Sequence, residues 1–269
     1  MLASFVIDLK PQEVAPVGQT LGRSLHAVLL RLIAEVDPAL ATALHADAKI
    51  KPFTVSMLQG RFVTRNGRQM ATPDEIYQVR YSVLSDEVFS ALSNILLGKY
   101  MYKEPVRLDG NLFDIVEIVV RPELSDGWAR LDDFESLWNR AEDSDRVTLE
   151  FASPTTFRTG DVNLLFPLPV SVFGGLMRKW EAFAPISLPA ELGAFIAEHL
   201  VVERYRLETR VVAYDNHQYN GFVGTCQFRV LGDRSQLGRA INALADLALF
   251  TGIGQKTTQG LGQTRRIGR

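Results

Sequence analysis

In the first half of the chain, segments whose apolar residues recur with the period of a strand alternate with segments that have the period of a helix. Apolar residues take every second place over residues 77–83, the period of a strand with one buried face. Leu25, Leu29, Leu32 and Val36 recur at helical spacing. The predicted elements are a strand at 2–9, helices at 20–36 and from Pro38 to about His45, strands at 52–58, 61–65 and 77–83, a helix at 85–98 and a strand at 112–120. Their order is close to β-α-β-β-α-β, the ferredoxin-like unit.

The second half of the chain repeats this order after a polar stretch from Arg121 to Arg130, which we interpret as a linker. The predicted elements are a short helix at 131–141, a strand from Val147, a helix at 169–183, strands at 203–214 and 221–231 around a turn at 215–218, and a helix at 234–248. We therefore expect an α+β protein with two tandem ferredoxin-like βαββαβ domains, at residues 1–122 and 123–269.

Composition places the chain among ordinary folded proteins, with 46% hydrophobic and 22% charged residues. No apolar stretch is long enough to span a membrane, and the N-terminus lacks the cationic start and apolar core of a signal peptide. The single cysteine, Cys226, cannot form an internal disulfide. We therefore expect a cytoplasmic protein. A net charge of −2 argues against wholesale coating of nucleic acid but permits local basic clusters, such as Arg178 with Lys179.

The most unusual stretch is TGIGQKTTQGLGQ at residues 251–263, which holds two Gly-Xaa-Gly pairs and one lysine: Gly252, Gly254, Lys256, Gly260 and Gly262. It is not a Walker loop, because Gln255 precedes the lysine. It is not a dinucleotide fingerprint, because the chain after it is too short for a βαβ unit. Two interpretations remain, a mobile glycine turn and a loop whose glycines let a phosphate backbone come close.

Three stretches together resemble one known family. The pattern Gly-Ile-Gly, five residues, Gly-Leu-Gly resembles the glycine-rich loop of the repeat-associated RNA-processing superfamily of CRISPR proteins. FASPTTFRTGD with LLFPLPVSVFGGLMRKW, and DPALATALHADAKIKPFTVS in the first half, resemble its branch of CRISPR repeat endoribonucleases, the Cas-six family. The resemblance covers most of the chain.

The resemblance implies a metal-independent endoribonuclease that needs no cofactor and cuts the repeat of CRISPR precursor transcripts into guide RNAs. A ribose 2′-hydroxyl attacks the adjacent phosphate and leaves a 2′,3′-cyclic phosphate and a 5′-hydroxyl. The implied partners are CRISPR repeat RNA and subunits of a CRISPR effector complex. Some relatives dimerise, so a homodimer is also open.

The family's catalytic pattern matches His45 and Lys51, which Pro52, Phe53 and Thr54 follow. His45 lies near a predicted helix C-terminus, where the dipole stabilises an imidazolium and suits a general acid. Lys51 suits stabilisation of the developing phosphorane charge.

One position departs from the family. Some members carry a tyrosine on the first helix, where this chain has Leu30, which cannot move a proton. His26 lies one helical turn earlier and is a candidate second acid or base. The sequence leaves the base and acid roles unassigned between His26 and His45. Candidate contacts to the RNA backbone are Gly252, Gly254, Lys256, Gly260, Gly262, Arg178 and Lys179.

Other classes of function remain to be weighed. A metal site has no support, because the sequence has no Cys-Xaa-Xaa-Cys pair, no histidines at helical ligand spacing and no compact acidic cluster suited to ligation. The main alternative is a non-catalytic RNA-binding subunit of a CRISPR effector complex, since the glycine pattern also occurs in relatives that do not cleave. A protein-interaction subunit without RNA affinity is a third possibility.

Overall fold

The computed structural model describes residues 1–18, 21–46, 50–214, 217–232 and 235–268. The chain forms two compact units: Met1–Leu131 with Thr258–Gly260, and Asp132–Thr257 with Leu261–Arg269.

Unit 1 is built on one antiparallel sheet with the strand order β3-β6-β1-β8-β7. The elements up to its boundary are β1 (Leu2–Pro11), β2 (Ala15–Val17), α1 (Leu21–Val36), α2 (Pro38–His45), β3 (Phe53–Val55), β4 (Val63–Arg65), β5 (Arg68–Ala71), β6 (Tyr77–Val83), α3 (Asp86–Tyr102), β7 (Val106–Leu108), β8 (Asn111–Val119) and β9 (Arg130–Asp132). The central order β3-β6-β1-β8, with α1 and α3 in the crossovers, is the ferredoxin-like arrangement. A small separate sheet, β2-β5-β4, had not been predicted as a sheet.

The periodicity of α1 is confirmed over most of its length. Leu25, Leu29 and Leu32 are buried in the core of unit 1. Val36, predicted on the same face, is 48% exposed because it is the last residue of the helix. Residue 20, where the helix was predicted to begin, lies outside the described residues.

The predicted linker belongs to the packing of unit 1. Trp128 and Ala129 pack against Val6 and Val119 of the sheet. The hydroxyl of Ser4 donates to the Trp128 carbonyl O at 2.7 Å. Unit 1 therefore extends to Leu131, beyond the boundary predicted from the sequence. The polar composition of the stretch gave no indication that Trp128 and Ala129 would pack against the sheet.

Unit 2 repeats the arrangement on a sheet with the order β13-β14-β10-β15. Its elements are α4 (Phe134–Arg140), β10 (Arg146–Thr155), β11 (Phe157–Thr159), β12 (Val162–Leu164), α5 (Pro169–Phe183), α6 (Leu192–His199), β13 (Leu200–Tyr214), β14 (His217–Val230), α7 (Ser235–Thr251) and β15 (Thr264–Ile267). The prediction of tandem ferredoxin-like domains is confirmed. The predicted turn at 215–218 includes residues 215 and 216, which lie outside the described residues.

Candidate active site and RNA-binding loop

His45 is the last residue of α2, as the sequence predicted. The helix begins where the Asp37 carboxylate accepts the Leu40 N–H at 2.9 Å and Pro38 takes a first-turn position. Leu40 and Leu44 are buried, whereas His45 is exposed at the C-terminal end. The last carbonyls of a helix have no partner within it, so this end of α2 favours a cation.

Lys51 supplies that cation. Its Nζ donates to the carbonyl O of Leu44 at 2.8 Å and to that of Ala46. These carbonyls precede and follow His45 in the chain, so Lys51 caps the C-terminal end of α2 on both sides of His45. An ammonium has three N–H donors, and these two carbonyls engage two of them. The connection through residues 47–49 lies outside the described residues.

His26 projects from α1 and is half-buried. Its Nδ1 lies 3.0 Å from the carbonyl O of Thr258, and its ring centroid lies 5.3 Å from that of Phe53 in β3. A carbonyl oxygen only accepts, so Nδ1 donates in this hydrogen bond. In the neutral imidazole the lone pair is then on Nε2.

The surroundings of His26 lower the pKa of its imidazole. Burial is the largest cause, because desolvation disfavours the charged form. The hydrogen bond to Thr258 opposes this shift, while the charges of Lys51 and His45 add to it. The three side chains selected from the sequence therefore interact electrostatically, and near neutral pH His26 has Nε2 ready to accept a proton.

Leu30 serves packing here. It is partly buried and contacts the core of unit 1. The position at which the family resemblance implies a tyrosine in some members is therefore a packing position in this chain. His26, one turn earlier on α1, is a titratable group whose pKa is lowered by burial and, less strongly, by the charges of Lys51 and His45.

The glycines of the loop are required by its own packing. Gly252, Gly254 and Gly262 have φ values of 58°, 87° and 67°, which side chains rarely adopt. A Cβ on Gly262 would lie 2.0 Å from the Ile253 carbonyl O, and one on Gly254 would lie 2.5 Å from that of Thr156. The Ile253 N–H donates to the Gly262 carbonyl at 2.8 Å. The loop is thus a packed segment held by its own backbone contacts, which is not what a mobile turn would show. Close approach of RNA is not needed to explain its glycines.

Lys256 lies between the two glycine pairs with a φ of 55°. Its Nζ is 4.7 Å from the ring centroid of Tyr219 in β14, a cation–π contact that holds the ammonium over the ring. The sequence did not single out Tyr219, because only the pairing of β14 in the sheet brings it to the loop. Lys256 remains the predicted phosphate contact.

Arg178 and Lys179 are neighbours in sequence but differ in environment. Arg178 is exposed and remains a predicted RNA contact. The Nζ of Lys179 donates to the carbonyl O atoms of Thr251 and Gly252, at 2.5 and 2.9 Å. It therefore holds the end of α7 to the start of the loop, and its contact with the RNA backbone remains a prediction. Burial, with a smaller contribution from Arg178, lowers the pKa of Lys179 to about 7.

This pKa predicts an unusual dependence of stability on pH. Between about pH 7 and the pKa of about 10.4 of an unfolded lysine, the unfolded chain binds a proton that the folded chain does not, so Lys179 makes stability rise with pH. In denaturant titrations at about pH 7 and about pH 9.5, the parent should gain free energy of unfolding relative to Lys179→Met. Arg178→Met is the matched control and should track the parent. An equal difference between parent and Lys179→Met at both pH values would contradict the assignment.

Further expectations from the sequence concern the rest of the chain. Cys226 is buried in β14, and burial raises the pKa of its thiol to about 12. Among the described residues, no group of three or more His, Cys, Asp or Glu side chains is placed to hold a metal ion. In that same part of the chain, no helix has the length and apolar character needed to cross a bilayer.

Two family models match the chain. A family model described as CRISPR-associated endoribonuclease Cas6 matches residues 149–264, and one described as CRISPR Cas6 N-terminal domain matches residues 1–139. A CRISPR-associated endoribonuclease Cas6 of Streptococcus thermophilus is 24% identical over 247 residues, which is 91% of this chain and 90% of the relative.

Solved structures show the same fold. A product complex of Thermus thermophilus Cas6 superimposes with a TM-score of 0.83 at 24% identity, over 99% of each chain. A second Cas6 product complex gives a TM-score of 0.79 at 26% identity, also over 99% of each chain. The two family models together extend through both units, and the chain belongs to the Cas6 family of CRISPR-associated endoribonucleases.

Proposed function

We propose that this protein cleaves CRISPR repeat RNA without a metal ion, by attack of a ribose 2′-hydroxyl on the adjacent phosphate. The observation that carries the proposal is the cluster of His26, His45 and Lys51. Lys51 donates to the carbonyl O atoms on either side of His45, and the charges of both residues add to the lowering of the His26 pKa by burial. Cleavage of this kind needs a base for the hydroxyl proton, an acid for the leaving 5′-oxygen and a cation for the phosphorane charge. The cluster offers one group for each task.

His26 is the proposed general base. Its lowered pKa keeps the imidazole neutral near pH 7, and the hydrogen bond from Nδ1 to Thr258 leaves Nε2 as the accepting atom. The proton of the 2′-hydroxyl passes to Nε2 as the oxygen attacks phosphorus. A 2′,3′-cyclic phosphate forms when the bond to the 5′-oxygen breaks.

His45 is the proposed general acid and Lys51 the charge stabiliser. Its imidazole is exposed at the end of α2, between the two carbonyls that Lys51 contacts. It gives a proton to the departing 5′-oxygen, which becomes a hydroxyl. Lys51 uses two N–H donors on Leu44 and Ala46, and the third donor suits a non-bridging phosphate oxygen.

Repeat RNA is the proposed substrate because of the family to which the chain belongs and because of the complexes in which similar proteins were solved. Similar structures were solved as Cas6 product complexes and as a Cas6 substrate mimic complex. On this chain, Lys256 beside Tyr219 and exposed Arg178 are the proposed contacts to the RNA backbone.

The test is cleavage of the repeat RNA of the protein's own locus in excess EDTA. We expect an unchanged rate, because the proposed base, acid and cation are all side chains. Activity that vanishes in EDTA and returns with magnesium or manganese would overturn the metal-free mechanism. RNA that is bound but stays intact in every buffer would favour a non-catalytic subunit.

A further inference from the structure

The glycine-rich loop contributes to unit 1 as well as to unit 2. Its residues Thr258–Gly260 belong to unit 1. Gly260 forms a parallel bridge with Ser56, just after β3. With a φ of 96°, it approaches Met57 so closely that a Cβ would lie 2.5 Å from the Met57 Cγ. The register of this segment against the chain after β3 is therefore closely fixed.

Ser56 is itself anchored to the sheet. Its N–H donates to the Arg80 carbonyl O at 2.8 Å, and its Oγ accepts the Arg80 N–H at 2.8 Å. Gly260 is thus tied through Ser56 to β6, an inner strand of the sheet of unit 1. Two residues before Gly260, the Thr258 carbonyl O accepts from Nδ1 of His26 at 3.0 Å. The contacts with the sheet therefore fix the position of the Thr258 carbonyl O.

We propose that Thr258 is a positioning residue, whose backbone carbonyl holds His26 in the Nδ1-protonated form and so reserves Nε2 as the base. The inference rests on the proposed function. The tautomer and ring orientation of a histidine are set by the hydrogen bond that its other nitrogen makes. Phe53 contacts one side of the same ring at a centroid distance of 5.3 Å. The imidazole is therefore restrained by both a hydrogen bond and an aromatic neighbour.

The loop then has two tasks along its length. Lys256 acts in the ground state by holding RNA, and its loss weakens binding. Thr258–Gly260 acts on the rate, because a misoriented base is costly only when the proton moves. Variants in the two parts of the loop should therefore have opposite kinetic signatures.

Gly260→Ala tests this division, because a φ of 96° is strained for alanine and the added Cβ would lie 2.5 Å from the Met57 Cγ, so the segment or Met57 must shift. At saturating enzyme, single-turnover cleavage should slow by about 10- to 100-fold, the scale of an ångström-sized misplacement, with RNA affinity within a few-fold of the parent. Lys256→Ala should instead weaken affinity and keep the saturating rate. Gly110→Ala is the matched control, since Gly110 has a φ of 84° with open space around its Cβ position.

The pH dependence of the cleavage rate distinguishes a loss of His26 positioning from a general loss of structure. The Thr258 hydrogen bond raises the pKa of His26 against the effect of burial. Losing it lowers that pKa, and the acid limb of the rate profile should move to lower pH in Gly260→Ala. Adding Met57→Ala to Gly260→Ala removes the Met57 Cγ that the new Cβ would meet, and should recover part of the cleavage rate.

The tautomer can also be measured in the parent protein, which covers the case in which Gly260→Ala does not fold. Nitrogen-15 shifts of the His26 ring, assigned by their loss in His26→Ala, should show protonated Nδ1 in the neutral form. A neutral form protonated on Nε2 would overturn the inference. So would Gly260→Ala with reduced affinity but an unchanged rate and acid limb. If His45→Ala still abolishes most cleavage in that case, only this inference fails; if His45→Ala and His26→Ala both cleave normally, the proposed function fails as well.

Discussion

Replacing His45 with alanine is expected to slow single-turnover cleavage of repeat RNA by roughly 10²–10⁴-fold, the usual contribution of a general acid. Affinity for the RNA should stay within a few-fold of the parent, because a group that acts only in the transition state adds little to ground-state binding. His45 is exposed at the end of α2, so the variant should fold normally.

His199 provides the matched control for this variant. It is likewise the last residue of a helix, α6, and its side chain is 44% exposed. His199→Ala should cleave at the parental rate. Normal cleavage by His45→Ala, measured with enzyme in excess over RNA, would show that the active site lies elsewhere.

Replacing Lys51 with methionine should have an effect of similar size, about 10²-fold or more on the rate. The substitution keeps the aliphatic stem but removes the charge proposed to stabilise the phosphorane, together with the hydrogen bonds to Leu44 and Ala46. Because these carbonyls bracket His45, the loss also loosens the end of α2 that carries the acid. Lys103→Met, an exposed lysine at the end of α3, is the control and should be neutral.

The double variant distinguishes a coupled site from two independent residues. Groups that act as a unit lose most of their effect with the first substitution. His45→Ala with Lys51→Met should therefore be little slower than His45→Ala alone. Rate losses that multiply would show that Lys51 acts independently of the helix end.

The sequence predicted those parts of the fold that depend on local rules. Hydrophobic periodicity identified β1, α1 and β6 near their observed bounds. The pair Asp37-Pro38 predicted the start of α2, and a short amphipathic helix from that point ends at His45. The placement of the proposed acid at a helix C-terminus could therefore be predicted before any coordinates.

Features that depend on distant backbone could not be predicted in the same way. The acceptor for His26 is a carbonyl 232 positions away, and a main-chain oxygen has no sequence signal of its own. Lys179 and Arg178 form one basic pair in the sequence, but successive side chains of a helix point about 100° apart around its axis. Lys179 therefore reaches the end of α7, whereas Arg178 is exposed. The loop glycines looked like a cradle for RNA because the sequence does not show which backbone lies against them.

The chemical ends of the RNA product test the central claim most directly. The claim is that the 2′-hydroxyl of the substrate, activated by His26 and followed by proton donation from His45, breaks the chain without a metal ion. Mass spectrometry of fragments made in the EDTA reaction should find a 2′,3′-cyclic phosphate on the upstream fragment and a 5′-hydroxyl on the downstream one. A 3′-hydroxyl with a 5′-phosphate would mean that water attacked the phosphate, and would contradict the account.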